Sequence, residues 1–339
     1  MNSKKDLPRV SFILGILNAE RTLEECLNGI CIQDYPRDYF EVIIIDGGST
    51  DKTLQIIDSF MHKEKNISLL HNPKKLSEGR GMSKDMGIQK AKGDIVILLD
   101  HDNLISDPRW LRGIVLPFRN KQVMASQSLL EFRKEDSNFL KYINAAGVED
   151  PFAIPYSLVA QVQLYPHKFQ LEENAYYLHR LNPNSVLFGG ANGCAFVKEV
   201  FEKIGGYTRD VDVFAKMAEH RMLVAVPKHV KLYHKTASNL WTFMKKKGLY
   251  FYRFINKEYA EKDFQWVKPG FANTLRFFLM VASNLSFAVP SVLAFQRTFK
   301  TGRLFWLLHP FYVFFVTLEY GLITLLKLKN FFSYARIKS

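Results

Sequence analysis

Apolar and polar positions along the first third of the chain switch between two periods. "VSFILGI" (10–16) is an unbroken apolar run of strand length, and Leu23, Leu27, Ile30 and Cys31 recur after it at helical spacing. "FEVIIID" (40–46) is a second β-branched run. In "GGSTDKTLQIIDSF", Leu54, Ile57 and Phe60 or Met61 line one helix face, with Ser49 or Thr50 as the expected cap. "NISLLHN" reads as a third strand, 79–92 as a helix and "DIVILLD" (94–100) as a fourth strand. Strands apolar along their whole length are buried on both faces, so the pattern predicts an α/β fold: a mostly parallel, Rossmann-like sheet covered by helices. Such sheets bind ligands at the carboxyl ends of their strands. Asp46 and the stretch Asp100-His101-Asp102 stand at two of those ends.

Beyond residue 120 the periodicity lapses. Residues 121–187 are irregular and aromatic-rich, and are expected to form a variable, acceptor-facing region within a catalytic domain spanning 1–235. From 188 a Gly-rich turn, a short helix, the Gly205-Gly206 turn, the pair Asp210/Asp212, a helix and a strand ending at His234 follow in order. Residues 236–275 are basic and aromatic, as interfacial segments are. Two apolar segments close the chain in 276–339. One is 277–295, with 19 uncharged residues; the other is 304–326, with 23 residues and a single charge at Glu319. At 1.5 Å per residue each suffices for a hydrocarbon core of about 30 Å. An antiparallel hairpin of two crossings sets Arg297, Lys300 and Arg303 outside, against the positive-inside tendency, while Lys327, Lys329, Arg336 and Lys338 favour a cytoplasmic tail. A re-entrant or interfacial hairpin therefore stands beside the two-crossing reading.

Charge sharpens the choice of partner. The chain has 339 residues, is 47% hydrophobic and only 23% charged, which excludes general disorder, and it carries a formal net charge of +13. Nine Lys/Arg against three acidic residues fall between Lys235 and Arg276, directly before the apolar segments. A basic belt in that position points to an anionic membrane surface, not to nucleic acid. Three cysteines (26, 31 and 194) form no ligand cluster and read as reduced packing residues. The apolar start of the chain is too short for a span and fits a first strand better than a signal peptide.

Two carboxylates one residue apart at a strand end suit an oxygen-seeking divalent cation that also bridges phosphates. Turn hydrogen bonding by Asp is the alternative for Asp100, Asp102 and Asp107. In company with its neighbours, however, the stretch resembles a known family. "VSFILGILNAERTLEECLNGICIQDYPRDYFEVIIIDGGSTDKT", "LSEGRGMSKDMGIQKAKGDIVILLDHDNLISDPRWL" and "GGANGCAFVKEVFEKIGGYTRDVDVFAKM" are similar, in order, to the opening, donor-binding and acceptor-side segments of family-2 glycosyltransferases of the GT-A fold. The resemblance covers roughly 10–120 and 186–255.

It implies the following roles. Gly15, Asp46, Arg80, Asp100, Gly190 (with Gly189) and Asn192 would line the nucleotide-sugar site. Asp100 and Asp102 would hold Mg²⁺ or Mn²⁺, with His234 as a further contact. Asp210 would be the catalytic base, with Asp212 as the fallback. The chain departs from the family in carrying Gly47 where a second Asp is common, and Arg209 where a Glu often precedes the catalytic Asp. Helix capping remains the alternative for Asp210 and Asp212. The implied reaction is inverting transfer of a sugar from a nucleotide-sugar to a hydroxyl of a membrane-associated, polyprenyl-linked glycan, on the cytoplasmic face of the cell membrane. Transfer to polyprenyl phosphate itself and a catalytically silent scaffold stay open; without a Q-x-x-R-W motif, a polysaccharide synthase is disfavoured.

Overall fold

The computed structural model of the chain describes residues 7–72, 74, 80–146, 171–172, 175–183, 191–235, 239–253, 255 and 270–337. They fall into two compact units: Met1–Glu131 with Ser157–Lys235, and Phe132–Tyr156 with Thr236–Ser339.

In the first unit, β1 (Val10–Ile16), α1 (Leu23–Cys31), β2 (Phe40–Asp46), α2 (Thr53–Lys63), β3 (Ile67–His71), α3 (Ser83–Lys90) and β4 (Ile95–Leu98) alternate as expected. Their strands pair in parallel in the order β3-β2-β1-β4. β1 and β4 are buried along their whole length, the both-face burial that the apolar runs predict. After β5 (Asn103–Leu104), α4 (Trp110–Val115), β6 (Val123–Gln127) and β7 (Leu129–Glu131), the chain enters the second unit with α5 (Asn138–Ala146). It returns to the first as β8 (Leu171–Glu172), β9 (Tyr176–Arg180), β10 (Cys194–Val197), α6 (Glu199–Lys203), α7 (Asp210–Glu219), β11 (Leu223–Pro227) and β12 (Lys231–His234). The main sheet continues past β4 as β10-β6-β11-β9-β8, with β10 antiparallel to both neighbours. A small second sheet runs β5-β12-β7. Strand order reverses direction from β1 to β4, and a crevice at their carboxyl ends is the place such a reversal creates.

Two local expectations are corrected. The helix expected over 79–92 is confined to Ser83–Lys90. Gly81 has φ +67°, a left-handed conformation that no helix can run through, and its N–H donates to Asp85 Oδ2 at 2.7 Å. Neither Ser49 nor Thr50 caps α2, whose first turn starts at Thr53. Both are drawn to the preceding loop instead: Asn18 N–H donates to Ser49 Oγ (2.9 Å) and Thr50 N–H to Asn18 Oδ1 (2.9 Å). Thr53, Ile57 and Phe60 face the core, while Leu54 is exposed.

The second unit comprises α5, α8 (Leu240–Arg253), α9 (Phe271–Leu285), α10 (Ala288–Thr301) and α11 (His309–Ile337). Tyr142 is central to its core. The Tyr142 hydroxyl shares a 2.7 Å hydrogen bond with His309 Nδ1, and its ring meets Trp306 at 5.9 Å and Tyr312 at 5.6 Å. Residues Leu304–Lys327 form one helical stretch long and apolar enough to cross a membrane. The segment expected as the other crossing, 277–295, is not one helix: α9 and α10 are bent by 69°. Phe287 is left-handed at φ 60°, and Pro290 lacks the N–H that a continuous helix would bond to Ser286.

Gly87 fixes how closely α3 approaches the sheet. A Cβ there would stand 2.5 Å from Ile13 Cγ2 and 2.8 Å from Ile45 Cδ1, both in buried strands. Gly87→Ala is therefore expected to cost about 1–3 kcal/mol through overpacking, seen as a Tm lowered by roughly 2–10 °C in a thermal melt. An unchanged Tm would show that α3 is not seated this tightly.

Candidate active site

The first two loops at the carboxyl edge are tied together before any ligand arrives. Ala19 N–H donates to Thr53 Oγ1 (2.7 Å), Lys52 N–H to Glu20 Oε2 (3.1 Å), and Asn18 holds the next loop as described. Asp46, at the end of β2, is 1% exposed. Its carboxylate accepts from Gly48 N–H (2.9 Å), Ser49 N–H (3.2 Å) and Ser49 Oγ (2.6 Å), so it organises its own turn. Gly48, at φ 90°, makes that turn possible. Gly15 lies within β1 opposite Ile45.

The carboxylates at the end of β4 are joined to α7 by a residue outside the set that the resemblance implies. Lys84, on α3 and 2% exposed, brings Nζ to 3.0 Å from Asp100 Oδ1 and 3.2 Å from Asp210 Oδ1. Asp210 also accepts from the Tyr207 hydroxyl at 2.7 Å. One ammonium thus gathers the expected metal-binding carboxylate and the expected base at one place. The available signal was spacing: Lys84 precedes Gly87 and Ile88 by three and four residues, which puts it on the buried face of α3. Asp212 is buried and accepts from Thr208 Oγ1 at 3.2 Å. Two residues along a helix turn a side chain by about 200°, which separates the pair.

β12 delivers His234. Pairing with β5 sets His234 opposite Asn103, and His234 Nε2 lies 3.4 Å from Asp102 Oδ2. Asn192 is a strut beneath the acidic pair: its Oδ1 accepts from Asp100 N–H (3.0 Å) and Asn103 Nδ2 (2.8 Å). His101, between the two aspartates, turns away to Thr22 Oγ1 at 2.7 Å. Arg80 is exposed, with a guanidinium nitrogen 3.7 Å from where a Cβ on Gly205 would be. Gly189 and Gly190 lie outside the described residues.

Among the described residues no group of three or more His, Cys, Asp or Glu side chains converges to hold a metal on its own. Asp102 and His234 together, with Asp100 alongside, fit a cation that takes waters and substrate phosphates as its other ligands, as Mg²⁺ and Mn²⁺ do. They do not fit an enclosed structural metal. Asp100 is engaged by Lys84, which leaves Asp102 the better placed carboxylate.

The sequence profile of glycosyl transferase family 2 matches residues 11–205, more than half of the 339. The chain belongs to glycosyl transferase family 2. Among family-2 relatives, it is 34% identical over 135 residues to glycosyltransferase GlyG of Streptococcus pneumoniae, covering 40% of this chain and 43% of that protein. It is 35% identical over 91 residues to a Methanococcus voltae enzyme named dolichyl N-acetyl-alpha-D-glucosaminyl phosphate 3-beta-D-2,3-diacetamido-2,3-dideoxy-beta-D-glucuronosyltransferase, over 26% of this chain and 27% of that one. Less than half the length of either relative is spanned. The mannosyltransferase PcManGT of Pyrobaculum calidifontis, solved with GDP-Man and Mn²⁺, has the same fold: TM-score 0.58 at 17% identity, over 94% of this chain and 88% of that chain. The family-2 chain therefore has the GT-A fold, with Asp100, Asp102, Asp210 and Lys84 at the carboxyl edge of its sheet.

Burial holds the Asp100 carboxyl above the usual carboxylate range; Lys84 pulls it down, and Asp210 and Asp102 push it up further. Ionising Asp100 thus costs stability: its favourable contribution is present below the unfolded value of about 3.9 and is lost as pH rises through the folded value. Water reaches a third of this side chain and weakens the effect. Asp100→Asn, which cannot ionise, is expected to raise Tm at pH 7 by about 2–4 °C, roughly 1 kcal/mol. The gain should shrink as pH falls towards 4. A lower Tm at pH 7 would mean that Lys84 more than repays the ionised carboxylate.

Proposed function

We propose that the chain is an inverting glycosyltransferase that moves a sugar from a nucleotide-sugar donor to a hydroxyl of a membrane-associated, polyprenyl-linked glycan. The observation that carries this reading is Asp210, held by Lys84 and Tyr207 beside Asp100. A hydroxyl nucleophile must lose its proton as it attacks, and a positioned carboxylate takes it. A phosphate acceptor is already ionised at neutral pH and needs no base, so Asp210 argues against polyprenyl phosphate as the acceptor. The dolichyl-linked substrate in the name of the Methanococcus voltae relative agrees with a lipid-linked glycan.

In this mechanism Lys84 and Tyr207 hold the Asp210 carboxylate in place beside Asp100. Asn192 fixes the backbone of Asp100, and the β5–β12 pairing fixes His234 against Asp102. Asp102 with His234 would hold a divalent cation, whose positive charge would offset that of the departing nucleoside diphosphate. The acceptor oxygen gives its proton to Asp210 as it bonds to the anomeric carbon from the face opposite the nucleoside diphosphate, whose bond to that carbon breaks, and the configuration inverts. The catalytic unit works at the cytoplasmic face of the cell membrane.

Two measurements test the proposal. Detergent-solubilised protein should be thermally stabilised by one of UDP, GDP, CDP or dTDP only when Mn²⁺ or Mg²⁺ is present, and Asp102→Asn should lose that response. No stabilisation by any of the four would remove the transferase reading. Asp210→Asn should then lower kcat by about 10²–10⁴-fold while the nucleotide-dependent shift persists, and Asp212→Asn should retain most activity if it folds. Equal losses in kcat would reassign the base.

A further inference from the structure

The second unit carries far more exposed apolar surface than a water-facing helical unit needs. Phe278 is 62% exposed, Phe299 88% and Leu304 73%, and Val289, Val292 and Phe295 are exposed with them. A patch of this kind marks a membrane or partner surface. Its layout decides which.

The arms of the bent pair are short. From Phe277 to Leu285 the apolar part of α9 is nine residues, about 13 Å, and from Ala288 to Phe295 that of α10 is eight, about 12 Å. Neither exceeds one leaflet of the hydrocarbon core, about 15 Å. The bend of 69° lies between them, at Ser286–Phe287. Each outer end carries cations: Arg276 before the first arm, Arg297, Lys300 and Arg303 after the second.

The helix α11 is long enough to cross, but its neighbour forbids it. α8 runs beside it in the same direction: Phe243 meets Tyr312 with ring centroids 5.9 Å apart, and Phe251 stacks on Tyr320 at 4.1 Å. Lys245, Lys246 and Lys247 lie between those two contacts, level with the middle of the 304–327 stretch. If α11 crossed, three lysines would stand near the bilayer centre, where cations are costly and rare. Along α11 the residues Tyr312, Val316 and Tyr320 are buried in the unit, while Phe311, Leu318, Leu322 and Leu325 form an exposed apolar stripe on another face.

We propose that α9–α11 dock on a single leaflet of an anionic bilayer: α9–α10 enter as a shallow re-entrant wedge with its apex at Phe287, α11 lies along the interface on its apolar stripe, and none of them crosses. Arg276, Lys300, Arg303 and Lys327 then all meet headgroups on one side, and the conflict with the positive-inside tendency disappears. Lysines and arginines at the ends of short apolar arms reach that level by extending along them. This inference rests on the membrane attachment proposed above and adds its geometry.

Single cysteines at Thr301 and Lys327, both exposed, and at Ser59 in the first unit as a reference, test it in the full chain. Native background is low, because Cys26 and Cys194 are buried and burial pushes the Cys31 thiol up to about 11. In sealed inside-out membrane vesicles, an impermeant maleimide should label Thr301→Cys, Lys327→Cys and Ser59→Cys alike before detergent is added. Protection of Thr301→Cys or of Lys327→Cys until detergent opens the vesicles would overturn the single-leaflet geometry while leaving membrane attachment intact. In a second arm, purified protein should float with liposomes containing phosphatidylglycerol, withstand 1 M salt, and lose at least tenfold in partitioning on Phe278→Glu with Phe299→Glu. Failure of the unaltered protein to float, with the apolar face buried in a self-associated oligomer, would overturn both the docking surface and the attachment.

Discussion

The ammonium of Lys84, 3.0 Å from Asp100 and 3.2 Å from Asp210, is the contact on which the crevice of the first unit depends. Three carboxylates gathered at one sheet edge repel one another, and an unpaired ammonium this deeply buried would cost several kcal/mol. Each side of the arrangement is tolerable only because the other is present. The position of the ammonium depends in turn on Gly87, one helical turn further along α3, which lets the helix rest on Ile13 and Ile45. Packing in the sheet and chemistry at its edge are therefore coupled through α3.

Around that contact the fold supplies struts more than ligands. Asn192 bonds the backbone of Asp100, and Asp46 spends its carboxylate on its own turn. The small sheet β5-β12-β7 exists on the same terms: two short pairings that bring His234 beside Asp102. Preorganisation of this kind lets a site hold like charges close together before a substrate or cation compensates them.

The second unit is organised by a different force. Its interior is aromatic, with Tyr142, Trp306 and Tyr312 in edge-on contact and the Arg297 guanidinium 4.9 Å over the Trp306 ring. Its surface is apolar too, along α9, α10 and one stripe of α11. Burial inside the unit and exposure outside it leave the lysines of α8 to set the depth at which the unit can meet a bilayer.

The strands β1, β2, β3 and β4, and Asp100 and Asp102 at a strand end, were legible in the sequence because burial on both faces writes itself as a continuous apolar run, and strand ends follow from where the run stops. Three segments that resemble family-2 glycosyltransferases likewise pointed to the family whose profile matches residues 11–205. Tertiary structure alone decided which residues meet. Lys84 and Asp210 are 126 positions apart, and no local period records that pairing. Asp210 and Asp212 are equivalent as letters and differ only by the helical angle between them. The apolar segment 277–295 matches a crossing in length and hydropathy, yet a left-handed Phe287 ahead of Pro290 bends it. Hydropathy sums a window, whereas backbone direction depends on single residues and on what α11 packs against.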